Sequence, residues 1–159
     1  MIILLSESLH NSLKQWLVEL GKRIKDANGK PKYEAYSGDS RPIDVRYGKK
    51  HVEYLADVVW NRRGRLYIIE LAFSENWRCI VGEIALASMI KDCRFFLITQ
   101  GLPNEFINNL VPMFGKKLRV HWMYYNYEEV SDLDSMKKIF ENGWKKPIGY
   151  SRIRITKSQ

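Results

Sequence analysis

Two hydrophobic periods run through the chain. In residues 6–25, Leu9, Leu13, Trp16, Leu17, Leu20 and Ile24 recur at helical spacing and predict an amphipathic helix, with Ser6 or Ser8 as its cap. Asn28-Gly29-Lys30-Pro31 ends it. Short strands are expected near Tyr33–Tyr36 and Ile43–Tyr47, joined by a loop through Gly38-Asp39-Ser40-Arg41-Pro42. Two β-rich runs, Tyr54–Trp60 and Leu66–Phe73, flank Asn61-Arg62-Arg63-Gly64-Arg65 and predict an antiparallel hairpin, its turn eased by Gly64. A second helix is expected from a cap at Ser74 or Asn76 to about Lys91. It is apolar nearly all round, so it needs cover from the sheet on one side and from another helix or a second subunit on the other. Arg94–Thr99 reads as a buried strand, and a third helix is expected from Gly101-Leu102-Pro103-Asn104 through Phe114. Leu118–Tyr125 reads as another strand, 127–143 as a polar helix stopped by Asn142-Gly143, and Pro147–Lys157 as an extended end. Helices alternating with strands in this half predict βαβ connections and partly parallel pairing.

The hairpin carries the candidate chemistry. A turn centred between Arg63 and Gly64 puts Asp57 directly opposite Glu70, and alternation gives both the face of Leu55, Val59, Leu66, Ile68 and Ala72. Their β-carbons would lie ~5 Å apart. Two full charges so placed repel by ~3 kcal/mol at an effective dielectric constant near 20, and removal from water adds several kcal/mol more. A divalent cation such as Mg²⁺ or Mn²⁺ would relieve this, as would a buried Arg or a different register. Glu19 sits at the margin of the first helix's apolar stripe, where it can face a site or water. His10, on a flank, reads as a surface residue. Glu83, the single charge between Cys79 and Ile90, needs a partner, either a metal site or an Arg.

Composition narrows the partners. The 159 residues, 45% apolar and 13% aromatic, fit one globular domain spanning 1–159. A net charge of +8 favours a polyanion, most simply nucleic acid. Arg62, Arg63 and Arg65 at the hairpin tip, Lys116, Lys117 and Arg119, and Lys145, Lys146, Arg152 and Arg154 are candidate phosphate contacts or solvated charges. Cys79 and Cys93 lack a CxxC spacing and read as small buried side chains. Met1–Leu5 is too short for a signal peptide, and no apolar run approaches the ~20 residues of a membrane span. A cytoplasmic protein away from membranes is the expectation.

The order helix, strands, antiparallel hairpin, apolar helix, strand joins two short signatures, Ala56-Asp57-Val58-Val59 and Ile69-Glu70-Leu71-Ala72. In this the chain resembles the PD-(D/E)xK nuclease superfamily over about residues 6–100. The resemblance implies an α/β fold with a restriction-endonuclease-like αβββαβ core, a mixed central sheet flanked by helices, and a C-terminal α/β extension over about 101–159. It implies Asp57 and Glu70 as catalytic metal ligands, the Leu71 carbonyl as a further ligand, Glu19 as an assisting acid, Mg²⁺ or Mn²⁺ as cofactor, and DNA phosphodiester hydrolysis as the reaction. Ala72 stands where the superfamily has its lysine, and Lys50, Arg78 or Lys91 could substitute. Two other expectations follow: a catalytically inactive DNA-binding or assembly subunit, and an interaction module that forms a homodimer through the second helix.

Overall fold

The computed structural model describes residues 2–72, 77–100, 119–125 and 132–145. Helix α1 (Ile2–Arg23) begins earlier than expected, because Leu5 continues the four-residue spacing of Leu9, Leu13 and Leu17. Ser6 and Ser8 therefore lie inside the helix and not at its start. Strand β1 (Glu34–Ser37) follows, then a hairpin of β2 (Ile43–Tyr47) and β3 (Lys50–Tyr54), then β4 (Val58–Arg62) and β5 (Arg65–Ala72). Helix α2 (Trp77–Ser88) leads to β6 (Cys93–Gln100); β7 (Arg119–Tyr125) and α3 (Leu133–Lys145) complete the described elements. The expected caps Ser74 and Asn76, the expected third helix from Gly101 to Phe114, and Pro147–Lys157 lie outside the described residues.

Among the described residues, five strands form one mixed sheet in the order β1-β4-β5-β6-β7, while β2 and β3 pair with each other in a separate one. β4 runs antiparallel to both β1 and β5; β5, β6 and β7 are mutually parallel neighbours. The β4–β5 register is the expected one, with Val58 opposite Ile69 and Trp60 opposite Tyr67. Arg63 (φ 53°) and Gly64 (φ 89°) both occupy the left-handed region that a two-residue hairpin turn demands.

Strand alternation divides the interior in two. Val58, Trp60, Tyr67, Ile69, Leu71, Phe96 and Ile98 face Leu13 and Leu17 of α1 and Met136 and Phe140 of α3. Val59, Ile68, Ala72, Phe95 and Leu97 face Ile80, Ile84 and Ala87 of α2, together with Val45 and Tyr54 of the small hairpin. Helices thus cover both faces of the mixed sheet. The last helix is amphipathic, not merely polar, since Met136 and Phe140 are buried. Its N-terminus is held by Asp132, whose carboxylate accepts the Ser135 N–H at 2.8 Å, and Gly143 lies within it instead of stopping it. On α2, Ile80 and Ile84 turn inward, whereas Cys79 and Gly82 are exposed. Cys79 is thus not the buried side chain expected. Cys93 is, and burial pushes its thiol up to about 12. No helix among the described residues is long and apolar enough to cross a membrane.

Close approach of backbones sets two joints. Trp60 donates its indole N–H to the Leu17 carbonyl at 3.0 Å, and a β-carbon on Gly21, one turn further along α1, would stand 2.4 Å from the Trp60 Nε1. Only glycine admits the ring there. Likewise a β-carbon on Gly38 would fall 1.9 Å from the Ala56 carbonyl oxygen. That crossing explains why Tyr54–Trp60 is not one strand: the chain leaves the small hairpin after Tyr54, passes beneath Gly38 at Ala56, and enters the main sheet at Val58. Gly38→Ala should lower stability by about 3 kcal/mol, since backbone cannot yield as a side chain end can. A denaturant midpoint equal to the parent's would contradict the crossing.

Candidate functional site

Asp57 lies one residue before β4, where the next pair of the observed register would oppose it to Glu70. The ladder stops there because side chains take over from carbonyls. The Asp57 N–H donates to Glu70 Oε1 at 3.0 Å, and the Leu71 N–H donates to Asp57 Oδ2 at 2.9 Å. Each carboxylate thus receives a main-chain proton from the partner strand. The expected juxtaposition is present, and Glu70 shares the face of Val59, Leu66, Ile68 and Ala72, but Asp57 and Leu55 do not. Leu55 is 59% exposed, and the two carboxylates find their other partners on opposite sides of the sheet.

Glu70 faces the α2 side. Its side chain is 2% exposed, and Oε1 accepts the Tyr54 hydroxyl at 3.0 Å as well as the Asp57 N–H. Burial pushes the Tyr54 phenol well up, and the nearby carboxylates of Glu70 and Glu83 push it further, so the hydroxyl stays a proton donor. Asp57 faces α1, where His10 Nε2 lies 3.4 Å from Oδ1; the two side chains are 25% and 16% exposed. Burial alone would raise the Asp57 carboxyl. His10, the Leu71 N–H and the charge of Lys14 outweigh it and hold the group below its ordinary 3.8. His10 is shifted the other way, above 6.5, chiefly by its hydrogen bond to Asp57, with burial opposing. Lys14, one turn along α1, pairs with Asp39 beside Gly38.

The α1 residue at this site is therefore His10, not Glu19. Glu19 is exposed, and nine residues of helix place it roughly 14 Å further along the axis. The missed signal is positional: α1 runs in the same direction as β4, His10 meeting Asp57 before the strand and Leu17 meeting Trp60 within it, so the end that reaches Asp57 is the N-terminal one. Ala72 is 4% exposed and packed in the α2-side core. Lys50 and Lys91 are exposed, as is Arg78. Among the hairpin arginines, Arg65 is engaged by Asp92 at 3.0 Å, whereas Arg62 and Arg63 are exposed. Lys116, Lys117, Arg152 and Arg154 lie outside the described residues.

As a donor set for a divalent cation these residues do not fit as they stand. Hard cations take about six oxygen ligands with open lone pairs. Here Glu70 is closed from water and both Asp57 oxygens already face protein donors. Among the described residues no three His, Cys, Asp or Glu side chains gather in metal-binding geometry. The repulsion expected between the carboxylates is met by N–H and O–H donors and by His10, with no guanidinium among the partners described above. Comparison with protein-family models, with curated proteins and with solved structures finds no match.

Two measurements probe this arrangement. Tyr54→Phe should cost about 2 kcal/mol, the usual price of depriving a buried acceptor of its donor, read by chemical denaturation. Linkage fixes the pH window of the His10–Asp57 contact. The Asp57 contribution is present above 3.8 and fades as pH falls through its lowered folded value; the His10 contribution is full below 6.5 and fades as pH rises through its raised one. His10→Gln should therefore lose most relative to the parent between those two values, by about 0.5–1 kcal/mol, and little at pH near 9. A difference independent of pH would exclude the charged pair.

Proposed function

We propose that the chain is a DNA-binding protein built on a restriction-endonuclease-like core, in which the Asp57–Glu70 pair is a structural clasp and not a working metal centre. The order of elements supports the core. A helix, a first strand, an antiparallel pair, a helix and a parallel strand follow one another, and the β2–β3 hairpin is inserted between the first strand and the pair. The net charge of +8 supports a polyanionic partner. The observation that favours binding over cutting is the closure of Glu70, 2% exposed beneath Tyr54, with Ala72 buried in apolar surroundings where a lysine would have to act.

A second reading is Mg²⁺- or Mn²⁺-dependent phosphodiester hydrolysis. The direct opposition of Asp57 and Glu70 across the β4–β5 register favours it. Both carboxylates would first have to exchange their protein donors for the ion. Such an ion would supply charge stabilisation and an acidified water.

One experiment separates the two. With a short DNA duplex and a supercoiled plasmid, the first reading gives salt-sensitive binding, no cutting in Mg²⁺ or Mn²⁺, and the same affinity for Asp57→Asn. Metal-dependent cutting abolished by Asp57→Asn would replace it with the second reading. Absence of binding at low salt would remove both.

A further inference from the structure

A groove of about 590 Å³ opens at the end of the sheet away from Asp57, between the loop after α1 and the β4–β5 turn. Lys30, Lys32, Arg62 and Arg63 line it. Both walls are built turns. In the loop, Asp26 Oδ1 accepts the N–H groups of Asn28 and Lys30 at 2.8 and 3.0 Å, and the Asp26 N–H donates to the Lys30 carbonyl at 2.8 Å. In the hairpin, Asn61 Oδ1 accepts the Gly64 N–H at 2.9 Å. The floor is Tyr33, 7% exposed and packed on Trp60 and Tyr67 with ring centroids 5.3 Å away in each case.

Cations outnumber acids in this groove. Two acids also line it, but Asp26 is turned to main-chain N–H groups and Glu34 is paired with Arg41. None of the four cations forms an ion pair with a described residue; Lys32 lies over the Tyr33 ring, its Nζ 5.6 Å from the centroid. Cations held together on two fixed turns repel one another, and a polyanion that displaces their counterions relieves that repulsion with an entropic gain.

We propose that this groove binds the phosphate backbone of duplex DNA, an inference that rests on the DNA-binding reading and locates its contact surface. Tyr33 is buried and offers no face on which an unpaired base could stack, so the contacts go to phosphates and carry no sequence preference. Arg65 belongs to Asp92 and takes no part. Asp57 lies five residues back along the chain from Arg62, about 17 Å at strand spacing, so the groove acts independently of the carboxylate clasp.

The test is fluorescence anisotropy of a labelled DNA duplex over a salt series, comparing the parent with Arg62→Gln/Arg63→Gly. Glycine at 63 keeps the left-handed turn, and thermal unfolding of the variant checks the fold. Lys49→Gln/Lys50→Gln, on the separate β2–β3 hairpin, removes the same charge elsewhere. The expected result is a loss on the order of tenfold for the arginine pair, a salt slope lower by about 2, and little change for the lysine pair. If the parent binds and both pairs lose affinity equally, or the arginine pair loses none, the groove is overturned while the DNA-binding reading stands. A parent that does not bind DNA at low salt overturns both.

Discussion

A carboxylate inside a sheet must be given protons by its neighbours, and the structure around Glu70 is arranged to do so. At 2% exposure it draws one donor from the main chain of Asp57 and one from the hydroxyl of Tyr54. The first requires the β4–β5 register to hold to its last pair. The second requires the β2–β3 hairpin to fold back against the α2 side of the sheet. One buried acid thereby ties together the main sheet, the inserted hairpin and the strand entry at Asp57. Buried charges are tolerated only when so surrounded.

Asp57 plays the complementary part on the other side. It accepts a proton from the Leu71 main chain and meets His10 from α1, so the first helix is tied electrostatically to the point where β4 begins. Further along the same helix, Trp60 reaches over Gly21 to the Leu17 carbonyl. Helix and strand are thus joined at two places, one by charge and one by an indole N–H inside an apolar contact. Between them these joints orient α1 along β4 and leave Glu19 facing water.

Much of this was legible in the sequence. The helical stripe of α1, the turn at Arg63-Gly64, the register it imposes and the parallel β6 all follow from periodicity and one glycine. What escaped was tertiary. Tyr54 to Trp60 has the composition of a single strand, and nothing in it announces that Ala56 must slide under a backbone at Gly38. Alternation holds within β4 but fails one residue before it, where it would put the Asp57 side chain on the face of Glu70. The direction of α1 relative to β4 decides whether its N- or C-terminal end supplies the side chain at the clasp, and helical spacing is silent on direction. Phe140 and Met136 show the same limit: their spacing marks a stripe, but only the fold says that a core awaits it.

The β2–β3 insertion has a further consequence. Ser37 and Val58 are partners in the sheet, so the intervening chain departs from and returns to adjacent points. Such an excursion is free to lengthen, shorten or change its tip, at Gly48 for example, without disturbing strand order, because the loop-closure term grows only slowly with length. Its tip is open to evolutionary variation, but its base is not, since Tyr54 at the foot of the hairpin supplies the hydroxyl that Glu70 needs. A relative with a shorter excursion would be expected to carry a neutral residue in place of Glu70.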